Sequence, residues 1–317
     1  MFTARQPVSR LALGMAALGR PSYITLDHAE ALGDDRSVEA LRSRSFAVLD
    51  AAYSAGIRHV DVARSYGLAE DFLESWLEAR GEVSDVFVSS KWGYRYVGDW
   101  QVDAQTHEAK DHSLATFREQ WTETRSRLGA RVQLYQVHSV TPESPVLRDR
   151  ALLEHLAELR DLGIGVGLST SGPGQSAVVR EALGVTVGGE PVFSAVQATW
   201  NLLESSTTEA LSEAAAAGWW VIIKEVLANG RLAGSAAPAP LTALADDAGT
   251  TADAVAIAVA LALPWRPTVL LGPVSIAQLS SNLAALCADG NSLAGCVSGM
   301  AQSPAAYWEE RSSLPWH

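Results

Sequence analysis

Three observations together predict an α/β fold, a single-domain (β/α)8 barrel of the TIM type spanning residues 1–317. Eight short runs rich in Val, Ile and Leu recur along the chain, each followed by a longer segment with helical spacing, and eight such units close a barrel. The runs show little polar alternation, as strands covered on both faces do. Polar residues nonetheless stand at or near the ends of the runs, at Asp61, Lys91, His138, Ser169, Gln197 and Lys224, where such barrels carry their chemistry. An open doubly wound sheet is the competing arrangement, but no GxGxxG follows the first strand.

The first strand is "RLALGM" (10–15). Arg5 and Arg10 ahead of "LALGMAALG" imitate the charged and apolar regions of a signal peptide, yet two glycines interrupt the run and favour a barrel strand. The helix that follows, "SFAVLDAAYSAG", puts Phe46, Leu49, Ala52 and Tyr53 on one face and stops at Gly56. Strands two to four are "IRHVDV" (57–62), "DVFVSSK" (85–91) and "VQLYQVHS" (132–139). "LLEHLAELRDLG" aligns Leu152, Leu156 and Leu159 and stops at Gly163, opening the fifth strand, "GIGVGLS" (163–169). "FSAVQATW" (193–200), "GWWVIIKE" (218–225) and "PTVLLG" (267–272) complete the set. Between the last two, "AVAIAVALALPW" (254–265) is shorter than the ~18 residues a membrane span needs, and reads as a buried helix.

Apolar residues make up 48% of the chain and charged residues 19%, a globular composition without a linker. The net charge of -12 repels polyanions, so neither nucleic acid nor membrane is an expected partner. Two cysteines, Cys287 and Cys296, are too few for a disulfide framework and lack metal-ligand spacing; ordinary thiols, a cytoplasmic location and no metal are expected.

Asp61 and Lys91, ending neighbouring strands, can meet as a semi-buried ion pair. A cation held near Tyr66 would lower a phenol pKa otherwise about 10 and make it a usable proton donor. His138, ending strand four, could hold the same acceptor, a substrate carbonyl oxygen gaining negative charge. There is no GxSxG nucleophile and neither cysteine is near a strand end, so the set suits general acid catalysis, with electrons supplied by a hydride cofactor.

In that order on consecutive strands, "DVARSYG", "SSKWG" and "YQVHS" resemble the Asp/Tyr/Lys/His tetrad of the aldo-keto reductases, over about residues 10–286. The resemblance implies an NAD(P)H-dependent oxidoreductase in which Tyr66 donates the proton, Lys91 and Asp61 tune it and His138 orients the carbonyl. It further implies that Ser169, followed by Thr170 in place of asparagine, and Gln197 hold the nicotinamide carboxamide, with Trp200 stacked beneath. "KEVLANGRLAG" would cover the pyrophosphate through Leu227 and Gly230, although Lys224-Glu225-Val226 departs from the common Tyr-Ser-Pro. Gly14 would let backbone approach the cofactor, and the stretch after Gly272 would bring Gln278 and Asn282 to the adenine. NADPH/NADP is the implied cofactor. NAD is admitted because Val274 stands where a basic residue is frequent and residues 267–290 hold no Lys or Arg, unless Arg231 or Lys224 swings in. The 93–112 segment is longer than is usual for the family. It is expected to loop over the rim, with Trp92, Tyr94, Tyr96 and Trp100 shaping an apolar or sugar-like substrate pocket.

The reading is hydride transfer between a nicotinamide dinucleotide and an aldehyde or ketone, or the corresponding alcohol or sugar. Two alternatives stay beside it: a catalytically weak, dinucleotide-binding regulatory member of the fold, and a barrel lyase or isomerase using Lys91 as a Schiff-base amine. Singly, Asp61 could cap a turn, Tyr66 sit on the rim, Lys91 be solvated and His138 be a core histidine. Trp200 could be core packing, and Gln278 and Asn282 a polar helix face. The order of the first four on successive strands is what favours a site.

Overall fold

The computed structural model describes residues 8–26, 32–81, 83–297 and 299–316. Eight parallel strands close into a barrel: β1 (Leu11–Gly14), β2 (His59–Asp61), β3 (Phe87–Trp92), β4 (Val132–Val140), β5 (Gly165–Thr170), β6 (Ala195–Thr199), β7 (Trp220–Lys224) and β8 (Thr268–Leu271). Each pairs with the next in sequence, and β8 returns to β1 through Leu11↔Val269 and Leu13↔Leu271. Each of the eight expected runs overlaps its strand, with β3, β4 and β5 ending one residue beyond the run.

Eleven α-helices surround the strands among the described residues: α1 (Val38–Ser54), α2 (Ala69–Arg80), α3 (Leu114–Leu128), α4 (Arg150–Asp161), α5 (Gln175–Leu183), α6 (Thr208–Ala216), α7 (Ala239–Asp247), α8 (Ala252–Ala262), α9 (Ile276–Leu283), α10 (Gly290–Val297) and α11 (Pro304–Ser313). Several of them start at a side-chain cap: the Ser37, Ser113, Asp149 and Ser303 oxygens accept from the free amide three residues on. The apolar run after Thr251 is α8, buried all round because α7, α9 and α10 pack on it. No helix among the described residues is long and apolar enough to cross a membrane. Arg5 lies outside the described residues. Arg10 is buried, and its guanidinium bonds Pro267 O at 3.1 and 3.0 Å and Leu261 O at 2.6 Å, fastening the start of β1 to the α8–β8 connection.

Inside the barrel the pleat sorts residues by parity. Ala12, Leu134, Ala195, Ile222 and Leu270 form an apolar plug toward one end, flanked by Phe87 and Trp220. Moving two residues at a time toward the strand C-termini replaces this plug with Asp61, Ser89, Lys91, Gln136, His138, Gln197 and Lys224. The same rule sends the intervening residues out to the helices: Ser90, for instance, donates to Glu70 of α2 at 2.6 Å.

Two segments depart from the expected outline. Residues 93–112 are not an open loop: Tyr94–Tyr96 pairs antiparallel with Glu108–Lys110, making a rim hairpin. Thr186–Val187 and Glu190–Pro191 form a second, shorter hairpin before β6.

The loop after β1 packs back to back on the loop after β2, with Leu68 N donating to Gly19 O at 2.7 Å. A side chain at Gly19 would overlap Tyr66 O and Ala69, and one at Gly67, where φ is 60°, would overlap Gly19 O. This contact sets where Tyr66 begins. Gly19→Ala is expected to cost about 1–3 kcal/mol of stability through overpacking, measured as a lowered denaturant midpoint; an unmoved midpoint would contradict the close approach.

Candidate active site

Asp61 and Lys91 meet inside the barrel, 2% and 0% exposed, and Lys91 Nζ donates to Asp61 Oδ2 and, at 3.1 Å, to Val62 O. The pair is tolerable in low dielectric because the other carboxylate oxygen is also satisfied. Asp61 Oδ1 accepts from Ser89 Oγ at 2.7 Å, Gln197 Nε2 at 3.2 Å and Gln136 Nε2 at 3.3 Å. Strand register supplies this shell, since Asp61 lies opposite Ser89 on β3 and Lys91 opposite Gln136 on β4.

Tyr66 lines the cavity above this pair, with Lys91 Nζ 4.7 Å from its ring centre and the His138 ring edge-on at 5.5 Å. The phenol is not made more acidic by its surroundings, as the sequence reading expected, but less. Burial pushes its pKa well above 10, the carboxylates of Asp61, Glu108 and Glu225 add to this, and the Arg20 guanidinium opposes it. The charge of Lys91 is already engaged by Asp61, so it does little for a phenolate. Tyr66 is therefore fully protonated at neutral pH.

His138 is held below the ordinary imidazole range, first by burial and then by Lys91, Lys224 and Arg20, so it is neutral. Its Nδ1 lies 3.3 Å from Ser65 Oγ, and His112 Nε2 bonds its carbonyl at 2.7 Å. In the tautomer where the Ser65 hydroxyl donates to Nδ1, the ring proton is on Nε2 and available to a ligand oxygen.

The rim adds charged groups that no strand motif signalled. Arg20, from the loop after β1, is 1% exposed and bonds Ala16 O at 3.1 Å and Ser65 O at 3.3 Å. It pairs with Glu108 of the rim hairpin at 3.0 Å. Glu225, in the left-handed region at φ 55°, receives both Arg311 Nε at 2.9 Å and Arg311 Nη2 at 2.6 Å from α11. Burial alone would raise the Glu225 carboxyl, but Arg311 and Lys224 outweigh it and hold its pKa at about 2. Lys224 also donates to Thr199 Oγ1 at 2.7 Å, and burial lowers its pKa. The Arg20–Glu108 and Glu225–Arg311 partners are tens of residues apart and invisible in sequence. Gln136 was legible, one pleat below His138.

A cavity of about 810 Å³ extends from Tyr66 and His138 past Gly14, Gly272, Leu227 and Gly230 to Gln278 and Asn282. A strap crosses it: Leu26 N donates to Asn229 O at 2.9 Å, and Asn229 Nδ2 to Ile24 O at 2.8 Å. Gln278 Oε1 accepts from Val274 N at 2.8 Å, and Asn282 Nδ2 donates to Asp253 at 2.7 Å, so each amide has a partner within the fold while facing the cavity. Gln197 is inside the barrel, within reach of both Asp61 and the cavity.

Other expected cofactor and substrate residues lie elsewhere. Trp200 follows Thr199 on the pleat and faces outward, its Nε1 bonded to Thr208 Oγ1 of α6 at 2.8 Å, so it is no platform beneath a cofactor ring. Trp92 follows Lys91 and is likewise turned away, fully buried against Phe117 and His112. Ser169 Oγ is taken by Ser139 N at 2.7 Å, and Ser171, two residues on, lines the cavity instead. Arg231 bonds Ala228 O at 3.0 Å and pairs with Glu310 at 2.8 Å, directed at α11 rather than the cavity. Of the insertion's aromatics, Tyr94 lines the cavity. Tyr96 supports the hairpin turn, its hydroxyl accepting from Trp100 N at 3.2 Å, and Trp100 Nε1 bonds Arg36 O at 2.9 Å.

The cavity suits an elongated dinucleotide in two respects. Its middle is walled by Gly14, Ala16, Gly230 and Gly272, which let a flat, charged ligand approach backbone, and the buried Asn229 Oδ1 has no hydrogen-bond partner among the described residues.

Comparison with known proteins agrees with this fold. A curated relative, aldo-keto reductase str7 of Strobilurus tenacellus, is 30% identical over 102 residues, covering 32% of this chain and 27% of that protein, so the chain matches only about a quarter of its length. An aldo-keto reductase from Bacillus halodurans in its holo form shares the fold with TM-score 0.68 at 20% identity, covering 96% of this chain and 97% of that one. A glycerol dehydrogenase from Gluconobacter oxydans does so with TM-score 0.66 at 19% identity, covering 94% of each. With residues 10–289 matching the aldo/keto reductase family as a sequence profile, and its strands closing into this barrel, the chain belongs to the aldo/keto reductase family.

Proposed function

We propose that this protein transfers a hydride between a nicotinamide dinucleotide and the carbonyl carbon of an aldehyde or ketone, or the reverse from the alcohol, with Tyr66 as the acid. The observation that carries the reading is the Tyr66 phenol facing the cavity over the Asp61–Lys91 pair, with neutral His138 edge-on at 5.5 Å.

In reduction, the substrate oxygen would sit between Tyr66 Oη and His138 Nε2, two donors directed at the atom that gains negative charge. The bound reduced nicotinamide supplies the hydride. Tyr66 then gives its proton to that oxygen, leaving a tyrosinate beside the Arg20 guanidinium, 5.3 Å from the ring centre. Gln197 is available to orient a carboxamide at the barrel mouth, and the strap from Asn229 to Ile24 and Leu26 would shield a pyrophosphate from solvent. A Schiff-base role for Lys91 is disfavoured, because its amine is fixed by Asp61 and Val62 O rather than free to attack.

The far end of the cavity favours NAD(H) over NADP(H). It is lined by Asp246, Asp253, Thr251 and Ser281, whereas the lining cations are Arg20, Lys224 and Arg311, each paired with a carboxylate beside the catalytic groups. A carboxylate suits a ribose hydroxyl and repels a 2′-phosphate. The phosphate would also forgo a charge-assisted bond of about 1.5–3 kcal/mol.

Tyr66→Phe is expected to retain dinucleotide binding and lose about 10²–10⁴-fold in kcat for reduction; undiminished turnover would overturn the assignment. Because Tyr66 stays protonated and His138 neutral, the reduction rate should not fall as pH drops from 8 toward 6.5, whereas alcohol oxidation, which needs tyrosinate, should climb steadily with alkaline pH. Val274→Arg is expected to tighten NADPH by about tenfold relative to NADH, read from quenching of tryptophan fluorescence on titration; equal changes for both would place Val274 away from the ribose.

A further inference from the structure

We infer that His112, just past the rim hairpin, is a positioning residue for His138: its imidazole and the Ser169 hydroxyl lock the bulge at the end of β4 from which His138 meets the substrate oxygen. This rests on the hydride-transfer reading above, in which His138 holds that oxygen, and adds to it the residue that aims the ring.

Between Val137 and Val140 the pairing of β4 with β5 slips: Val137 lies opposite Leu168 and Val140 opposite Thr170, so β4 carries one residue more than its partner. Such a bulge leaves backbone groups outside the ladder and re-aims side chains. Here it lets two consecutive residues, His138 and Ser139, both line the cavity, which an unbroken pleat would forbid. Ser139 adopts φ 50°, a left-handed conformation unfavourable for a residue with a Cβ, so groups outside β4 must hold it. Three side chains do so. Ser169 Oγ accepts from Ser139 N at 2.7 Å, His112 Nε2 donates to His138 O at 2.7 Å, and Lys110 Nζ donates to Ser139 O at 3.0 Å.

Of the two donors, Lys110 is exposed, and water can take its place. His112 is buried. A carbonyl oxygen only accepts, so the ring proton is on Nε2, and burial holds the pKa at about 4, which keeps the ring neutral with that one proton. Without this donor the His138 carbonyl would be left buried and unpaired. The seat of the ring is close-fitting: a Cβ on Gly93 would stand 2.4 Å from the imidazole. The hairpin that leads to His112 is fixed at its outer side, where His107 stacks on Trp316 at 4.3 Å and the Arg20 guanidinium lies over that indole at 4.9 Å. From the same hairpin Tyr94 sets its ring 5.1 Å from that of His138. The insertion thus backs the histidine, and Ser169 is spent on the bulge.

The test is steady-state reduction of 4-nitrobenzaldehyde by the full-length protein, with NADH and NADPH each offered. His138→Ala is expected to lower kcat by about 10²–10³-fold. His112→Phe, which keeps an aromatic ring but no donor, should lower kcat by about ten- to a hundredfold with dinucleotide affinity unchanged. His112→Gln, which keeps an N–H donor, should recover most of that loss. Added to His138→Ala, His112→Phe should cost nothing further, because the ring it aims is gone. Dinucleotide titration shows that each variant is folded. Equal losses from His112→Phe with and without His138, a Gln variant no better than the Phe variant, or undiminished turnover in either His112→Phe or His138→Ala would overturn this inference and leave hydride transfer standing. No oxidation of either reduced dinucleotide by the unaltered protein would overturn the hydride-transfer reading together with this one.

Discussion

The barrel interior depends on a carboxylate and an ammonium held against each other where water does not reach. Either charge alone at that depth would be strongly destabilising, so Asp61 and Lys91 exist there only as a pair. The pair in turn needs its remaining valences filled, and the fold supplies Ser89, Gln136 and Gln197 to the acid and the Val62 carbonyl to the amine. Four consecutive or facing strands are thereby committed to polar side chains at one level, above a plug that is otherwise apolar. The site's floor is a condition of the barrel's own stability.

What the pair does for Tyr66 is geometric more than acidifying. A lysine whose charge is cancelled at 0% exposure contributes little free potential, and burial dominates the phenol. The consequence is a donor that remains loaded over the physiological range, beside an imidazole that burial keeps neutral. The rim is built differently, from ion pairs contributed by distant elements. Arg311 of α11 reaches back to Glu225 after β7, and Arg20 after β1 reaches the hairpin between β3 and α3. Both arrangements close the barrel mouth with charge pairs that solvent only partly reaches, so they fix loops which local propensity alone leaves open.

The aromatics show where a linear reading and a folded chain part company. Trp92 and Trp200 each sit one residue beyond an inward-facing polar residue, and a pleat with a period of two turns them to the helices. Reading them as site residues weighed proximity in sequence above parity. Parity itself was available: it would have kept Gln136 and discarded both tryptophans. Arg20, Glu108, Trp316 and the Glu225–Arg311 pair carried no comparable signal. Arginine in a turn and glutamate in an insertion are commonplace, and only the meeting of loops from opposite ends of the chain joins them.

By itself, then, the amino-acid order determined the strand count and the barrel and placed Asp61, Tyr66, Lys91 and His138 at or just after strand ends, because apolar strand runs, glycine-ended helices and strand-end polarity are local properties written within a few residues of each other. The tertiary structure decided the protonation of Tyr66, the inward or outward fate of each aromatic and the pairing of every rim cation. Those outcomes come from burial and from contacts between segments far apart in the chain, and both exist only once the barrel has closed.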